Sequence, residues 1–172
     1  KYNLSKDSLK KRYASKLSSN LVNFTLGFVT LGIVPRALGP EAYGSYGFLT
    51  NFFTRTTKFL NFGVSDAYYT KLSRRPEEKK LIGFYIYYIF ILIILIISIT
   101  FGAIIIGIQE IIWPDQKSIF IYAAALFAVL QLIFNFFRST HDSLGYTFNY
   151  EKIIIVKSVV STGLIIALYF LK

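Results

Sequence analysis

The chain has 172 residues, of which 54% are hydrophobic and 16% are charged. Its apolar residues form runs far longer than a water-soluble core requires, so a soluble globular fold is not expected. The sequence contains no cysteine, which excludes disulfides, thiolate metal ligands and cysteine nucleophiles within it. The formal net charge of +10 lies mainly at the ends of the apolar runs, which indicates contact with anionic lipid rather than with nucleic acid.

Five segments are long and apolar enough to cross a membrane, which takes about 20 helical residues at about 1.5 Å each. They cover approximately residues 15–35, 43–69, 81–108, 118–144 and 153–171. Turn-forming residues separate them at Pro35, Gly39-Pro40, Pro76 and Pro114. The sequence therefore predicts an all-α fold: a polytopic membrane helical bundle with about five transmembrane helices and short connections.

The cationic residues predict the orientation of this bundle. Eleven of them precede the first span or lie between the second and third spans: Lys1, Lys6, Lys10, Lys11, Arg12, Lys16, Lys71, Arg74, Arg75, Lys79 and Lys80. The opposite loops hold only Arg36 and Lys117. Because cytoplasmic loops are enriched in Lys and Arg, we expect the amino terminus in the cytoplasm.

Aromatic residues near the span ends are expected to mark the membrane interfaces. Trp113 would then be an anchor at the outer interface. Tyr85, Tyr87 and Tyr88 cluster at the cytoplasmic end of the third span and resemble an aromatic belt. Since this span carries no charge, we expect it to face lipid.

The second span carries its polar residues on one face. With about 100° per residue, an arc of roughly 140° contains Asn51, Thr54, Arg55, Lys58, Asn61, Ser65 and Asp66. Arg55 and Lys58 lie about half-way along the span, where each cation costs about 2.5–3.5 kcal/mol. They either line a water-filled cavity that attracts an anion or pair with a carboxylate such as Asp66. We favour the cavity, because ionisable groups inside membranes are usually functional.

Two further spans contribute candidate cavity residues. In the fourth span, Gln131, Asn135, Arg138 and Asp142 form one ridge at spacings of three and four residues. Gln131 and Asn135 are the better cavity candidates, because Arg138 and Asp142 lie near the cytoplasmic end, where long side chains reach the headgroups. In the first span, a small and polar face that includes Asn20 and Asn23 suits helix packing and cavity lining equally.

The sequence lacks the common catalytic motifs. It has no GxxxxGK[ST] phosphate loop, no GxSxG elbow and no HExxH metal pair. His141 is the only histidine, has no second His or Cys for a metal site, and is interpreted as a solvated loop residue. We therefore expect no metal, no cofactor and no enzymatic activity in this segment.

Two stretches resemble a known family. Residues 35–47 read P-R-A-L-G-P-E-A-Y-G-S-Y-G and look like the loop after the first helix in bacterial polysaccharide (O-antigen) flippases. Residues 60–67 read L-N-F-G-V-S-D-A and resemble that family's leucine-rich end of the second helix, with Phe62 where leucine is more usual. The family belongs to the multidrug/oligosaccharidyl-lipid/polysaccharide exporter superfamily.

The resemblance implies a fold and a function. Family members have about 12 to 14 helices in two lobes around a cationic cavity, so residues 1–172 would be a fragment forming most of the N-terminal lobe. The implied activity is export of undecaprenyl-pyrophosphate-linked oligosaccharide, as in lipopolysaccharide assembly, from the cytoplasmic to the outer leaflet of the bacterial inner (plasma) membrane. The implied partners are the lipid-linked oligosaccharide, the bilayer and other polysaccharide-assembly proteins, but no nucleic acid.

The expected mechanism is alternating access driven by a proton or sodium gradient, with Asp66 as the candidate coupling carboxylate. Three alternatives stay open. A multidrug or toxin cation antiporter of the same superfamily would concentrate carboxylates in its cavity, whereas the mid-membrane charges here are mainly cationic. A membrane-embedded glycan-assembly enzyme usually has long, acid-bearing loops, and the loops here are short. A small structural membrane subunit complete at this length is the third.

Overall fold

A computed structural model describes residues 7–171, and helices account for nearly all of this part of the chain. In chain order they are α1 (Leu9–Leu38), α2 (Pro40–Asn61), α3 (Val64–Arg74), α4 (Lys79–Ile106), α5 (Gln109–Ile112), α6 (Ser118–Leu144) and α7 (Thr147–Phe170). Lys1 and Lys6, which entered the charge comparison, lie outside the described residues.

Four helices, α1, α4, α6 and α7, are long and apolar enough to cross a membrane. They confirm the predicted helical membrane bundle. The expected second span is the exception, because the single helix predicted over residues 43–69 is divided into α2 and α3. With 22 residues, α2 is still about 33 Å long, but its polar residues keep it out of the strongly apolar set.

The helix ends show which turn signals were interpreted correctly. α1 begins earlier than expected, because the Ser8 hydroxyl accepts a hydrogen bond from the Lys11 N–H at 3.4 Å and caps the helix. Pro35 lies inside α1 rather than at the turn. The turn is at Gly39, which has a φ of 80°, and Pro40 opens α2 at a position where a missing N–H costs nothing.

The described chain forms two compact units. One unit spans Gly44–Thr140 and holds most of α2, then α3, α4, α5 and most of α6. Its core consists of Leu49 and Phe53 from α2, Ile96 and Ala103 from α4, Trp113, and Ile121, Ala124, Ala125 and Ala128 from α6. The small alanines of α6 leave room for the large rings of the other elements.

Trp113 is part of this core and not an exposed interface anchor. Its side chain is 0% exposed. Its ring centroid lies 5.5 Å from that of Phe52 and 6.0 Å from that of Phe53. The prediction of an interface anchor was wrong because the chain after α4 folds back and inserts the indole between α2 and its neighbours.

α4 packs against the protein along one side, whereas its other side is exposed and is still the side expected to face lipid. Its buried residues recur every three or four positions: Tyr85, Ile89, Leu92, Ile96, Thr100 and Ala103. Tyr85 is buried and Tyr88 half-buried, whereas Tyr87 is exposed. Of the three, only Tyr87 therefore has the exposure expected for a residue of an aromatic belt. A helix that is apolar all round gives no sequence signal for its packed face.

The other unit contains the described residues 7–43 and 141–171, in which α1 packs against α7. Asp142 is buried, and its carboxylate pairs with the Lys16 ammonium at 2.8 Å. The Arg12 guanidinium donates to the Asp142 carbonyl at 2.7 Å and to the Thr147 hydroxyl at 3.1 Å. Asp142 is therefore a structural partner of Lys16, and Arg12 and Lys16 lie inside α1.

The start of α1 is held to the turn before α7 by Asp7. The Phe148 N–H donates to its carboxylate at 3.0 Å, and the Lys11 ammonium lies 3.0 Å from it. Burial raises the pKa of Asp7, but the Phe148 amide and the charges of Lys11 and Arg12 outweigh it, so the pKa is lowered. His141 belongs to the last turn of α6, where its half-buried ring stacks on Tyr150 at 5.3 Å, so it is not a solvated loop residue.

The buried indole predicts that Trp113→Ala lowers the free energy of unfolding by about 3–5 kcal/mol, because a large cavity replaces a fully packed side chain. The thermal unfolding of detergent-purified protein measures this loss. Ile111→Ala is the matched control, since Ile111 is two residues away and 82% exposed. Equal thermal stability of the two variants would contradict the placement of Trp113 in the core.

The Lys16–Asp142 pair predicts that Lys16→Met lowers stability by about 1–3 kcal/mol. This range lies between the values for exposed and for buried pairs, because Lys16 is partly exposed while Asp142 is not. Lys10→Met serves as the control, since Lys10 is exposed and makes no ion pair with a described residue. The same thermal measurement applies, and no difference between the variants would argue against the pair.

Candidate functional site

Three predicted site residues share the exposed face of α2. Asn51, Arg55 and Lys58 lie within about 60° around the helix axis, and all three are exposed. The opposite face contributes Leu49 and Phe53 to the core. The packing of these two apolar residues therefore directs the polar face away from the core of its unit.

Most polar side chains of α2, apart from Arg55 and Lys58, form hydrogen bonds within the helix. The hydroxyl of Thr50 donates to the Tyr46 carbonyl at 2.6 Å, and that of Thr56 donates to the Phe52 carbonyl at 2.9 Å. The Asn51 amide donates to the Gly47 carbonyl at 2.9 Å. Such bonds to the preceding turn let these residues lie in an apolar environment without an outside partner.

Arg55 and Lys58 differ from these residues. Neither makes a hydrogen bond or an ion pair with any residue that the structure describes. Asp66, the carboxylate considered as their partner, is exposed and likewise forms no ion pair within the described chain. Pairing with Asp66 is therefore not what compensates these two charges in this structure.

The helix containing the two cations ends shortly after them. Phe62 has a φ of 45° and Gly63 a φ of 76°, so both adopt the left-handed conformation and the helix cannot continue. Gly63 then caps the start of α3. As a result, the expected polar arc ends at Asn61, and Asp66 belongs to the first turn of a different helix.

The side chains of Tyr88 and Asn61 provide hydrogen-bond partners for backbone groups at this break. The Tyr88 hydroxyl donates to the carbonyls of Leu60 at 2.8 Å and of Asn61 at 3.1 Å. The Asn61 side-chain oxygen accepts from the Ser65 N–H at 3.3 Å and from its hydroxyl at 3.0 Å. Tyr85 in turn bonds to the Ser65 hydroxyl. Asn61, predicted to line a cavity, thus has a structural role at the break.

The contacts place the break at the level of the apolar part of α4. Tyr88 is nine residues from Lys79, the charged start of α4, which corresponds to about 14 Å along the helix. About two turns closer to its start, α2 contacts Trp113 through Phe53. Arg55 and Lys58 lie between these two contacts, and therefore alongside apolar segments rather than beyond them.

The remaining predicted site residues lie on helices other than α2. Gln131 is half-buried and Asn135 exposed on α6, and neither hydrogen-bonds to α2 within the described chain. In the other unit Asn20 is exposed, while Asn23 donates to the Ser19 carbonyl at 2.8 Å and accepts from the Ser158 hydroxyl. Asn23 thereby joins α1 to α7, which is the helix-packing role that the sequence had left open.

Sequence reasoning assigned Tyr85 and Tyr88 to an aromatic belt and missed their role at the break. Two signals pointed to this role: a glycine two residues after Asn61 in an otherwise helical pattern, and two tyrosines three residues apart on one helix face.

Among the described residues, no group of three or more His, Asp or Glu lies close enough together to hold a metal ion.

The long apolar helices define a multi-pass helical membrane protein. A family model described as "Polysaccharide biosynthesis protein" matches residues 9–171. The chain belongs to this family, which confirms its resemblance to the polysaccharide flippases. No curated protein and no solved structure matches it.

The exposed cations predict how introduced thiols react. Because these 172 residues contain no cysteine, Arg55→Cys and Lys58→Cys each introduce the single thiol of this segment. If the face lines a water-filled cavity, the ratio of the anionic to the cationic methanethiosulfonate rate is at least about threefold higher than the same ratio for a free thiol in solution, because the remaining cation attracts the anion. Ile94→Cys, on the exposed side of the uncharged α4, provides the control and is expected to stay unmodified. A lack of reaction at positions 55 and 58 would contradict a water-filled cavity.

Proposed function

We propose that the protein is a flippase that moves a lipid-linked oligosaccharide across the bacterial inner membrane, from the cytoplasmic to the outer leaflet. No covalent step is involved, and the amino terminus lies in the cytoplasm. The observation that carries this proposal is the exposed pair Arg55 and Lys58, at the level of apolar helices and without a partner in the described chain. Membership of a polysaccharide biosynthesis family supports it.

The geometry of the pair suits a pyrophosphate. Residues three positions apart on a helix are neighbours, with about 5–6 Å between their Cβ atoms. The planar guanidinium of Arg55 can bind two oxygens of one phosphate, and the ammonium of Lys58 can act as a point charge on the next. The two charges are thus able to engage both phosphates of one headgroup at once.

The bound anion would also offset the cost of the two cations. Each costs about 2.5–3.5 kcal/mol at the centre of a membrane helix, and water or an anion in a cavity removes much of that cost. In an alternating-access cycle the headgroup stays with the cations while its lipid tail remains in the bilayer. The carbohydrate moves through the aqueous cavity, and Asn51 lies on the same exposed face, where it can hydrogen-bond to sugar hydroxyls.

The same arrangement argues against export of cationic drugs. A cationic substrate would be repelled by Arg55 and Lys58, and no carboxylate among the described residues pairs with either of them. Asp66 remains the proposed coupling carboxylate for a proton or sodium gradient. It is exposed in the first turn of α3, immediately beyond the break.

Removal of either cation tests the proposal. We expect Arg55→Ala and Lys58→Ala each to lower the export of lipid-linked glycan about tenfold or more, the loss that one charge-assisted hydrogen bond produces. Export is measured as surface glycan per amount of membrane-inserted protein, in cells that depend on the variant. Lys58→Arg, which keeps the charge, should retain most of the activity.

Lys71→Ala is the matched control, because Lys71 is an exposed cation near the end of α3 and outside the polar face of α2. It should export normally. Normal export by both alanine variants of Arg55 and Lys58, at normal abundance, would reject the cationic cavity.

A further inference from the structure

The break between α2 and α3 exposes a backbone problem that membrane proteins must solve. The last carbonyls of a helix have no partner within the helix, and at the level of apolar helices water is scarce. The structure solves this at Leu60 and Asn61 with one side chain, because the Tyr88 hydroxyl bonds to both carbonyl oxygens.

We propose that Tyr88 is a positioning residue for Lys58. By holding the end of α2, its hydroxyl fixes the direction in which Lys58 projects from the exposed face. Its importance for transport rests on the function proposed above, whereas the positioning itself can be measured independently of transport.

Lys58 lies close to the two carbonyls along the helix. Lys58 lies in the last turn of α2, two residues before Leu60 and three before Asn61. Lysines in the last turn often bond to the final carbonyls, which are the negative end of the helix dipole. Here the Tyr88 hydroxyl, and not the ammonium of Lys58, bonds to the carbonyls of Leu60 and Asn61, and Lys58 has no hydrogen bond to a described residue.

Tyr88 is itself held in place by neighbouring rings. Its ring stacks on that of Tyr85 at 6.2 Å, and Tyr85 stacks on Tyr68 at 4.0 Å. The Tyr68 hydroxyl lies 2.9 Å from that of Thr140, so α6 supports the same stack. This tyrosine stack connects α3, α4 and α6 and gives the Tyr88 hydroxyl a fixed position.

Phe62, at the break, has a strained backbone conformation. Phe62 has a positive φ, which costs energy for a residue other than glycine, yet its side chain is exposed and contributes little packing. Contacts elsewhere must therefore maintain this conformation. The bonds from Tyr88 to the two preceding residues can do so, together with the bonds of Asn61 to Ser65.

The test compares Tyr88→Phe with Tyr87→Phe. Tyr87 is the adjacent residue, is exposed, and makes no hydrogen bond with a described residue, so its hydroxyl is a matched control. Both substitutions are made in the Lys58→Cys protein, and the rate of modification by the anionic methanethiosulfonate reagent is measured. We expect Tyr88→Phe to change the rate about fivefold, as for one lost neutral hydrogen bond, and Tyr87→Phe to leave it unchanged.

Export provides the second readout. Tyr88→Phe alone should lower export about fivefold at normal abundance. Added to Lys58→Ala it should cause no further loss, because two residues that act through one effect are not additive. A merely structural role would reduce abundance, or would add its loss to that of Lys58→Ala.

Each outcome decides one question. An unchanged reaction rate at position 58 in Tyr88→Phe overturns the positioning role, whatever export shows. A changed rate together with normal export by both Arg55→Ala and Lys58→Ala supports the positioning role and rejects the cationic cavity on which the proposed function rests. If Tyr88→Phe does not accumulate, Tyr88→Gln and Tyr88→Leu replace it. They have similar sizes, but only glutamine can donate to the carbonyls, so equal rates in these two variants would overturn the proposal.

Discussion

The structure depends on how a helix can end beside apolar neighbours. Every backbone carbonyl at that level needs a donor, and the donor must come from the protein if lipid is nearby. The break after Asn61 meets this requirement through Tyr88, and through Asn61 and Ser65. Because the break is compensated, α2 can be shorter than one continuous second span and can end one turn after its last cation.

The two units use the same kinds of charged residue differently. In the α1–α7 unit, Arg12 and Lys16 are bound to Asp142, so their charges are compensated by the fold. On α2, Arg55 and Lys58 have no such partner among the described residues. The first arrangement is typical of structural ion pairs, and the second is typical of sites that receive a ligand.

Sequence reasoning predicted the long helices well, because their apolar runs leave few alternatives. α4 and α7 lie where the third and fifth runs indicate, and Gly39-Pro40 marks the first turn. It did not predict the break, because a positive φ at Phe62 is set by tertiary contacts and not by the preference of phenylalanine. For a similar reason a tyrosine near a helix end looks the same in sequence whether it faces lipid or, like Tyr85, the interior.

The candidate site was predictable only as far as one helix extends. Angular arithmetic correctly placed Asn51, Arg55 and Lys58 on one face, since all three belong to α2. It failed for Asp66, which lies beyond the break, because the arithmetic assumes that a helix continues. A helical wheel gives the direction of a side chain, but the direction is useful only if something fixes the helix. Here Phe53 and Trp113 hold one part of α2 and Tyr88 holds its end, so the interpretation of two charged residues depends on three aromatic ones.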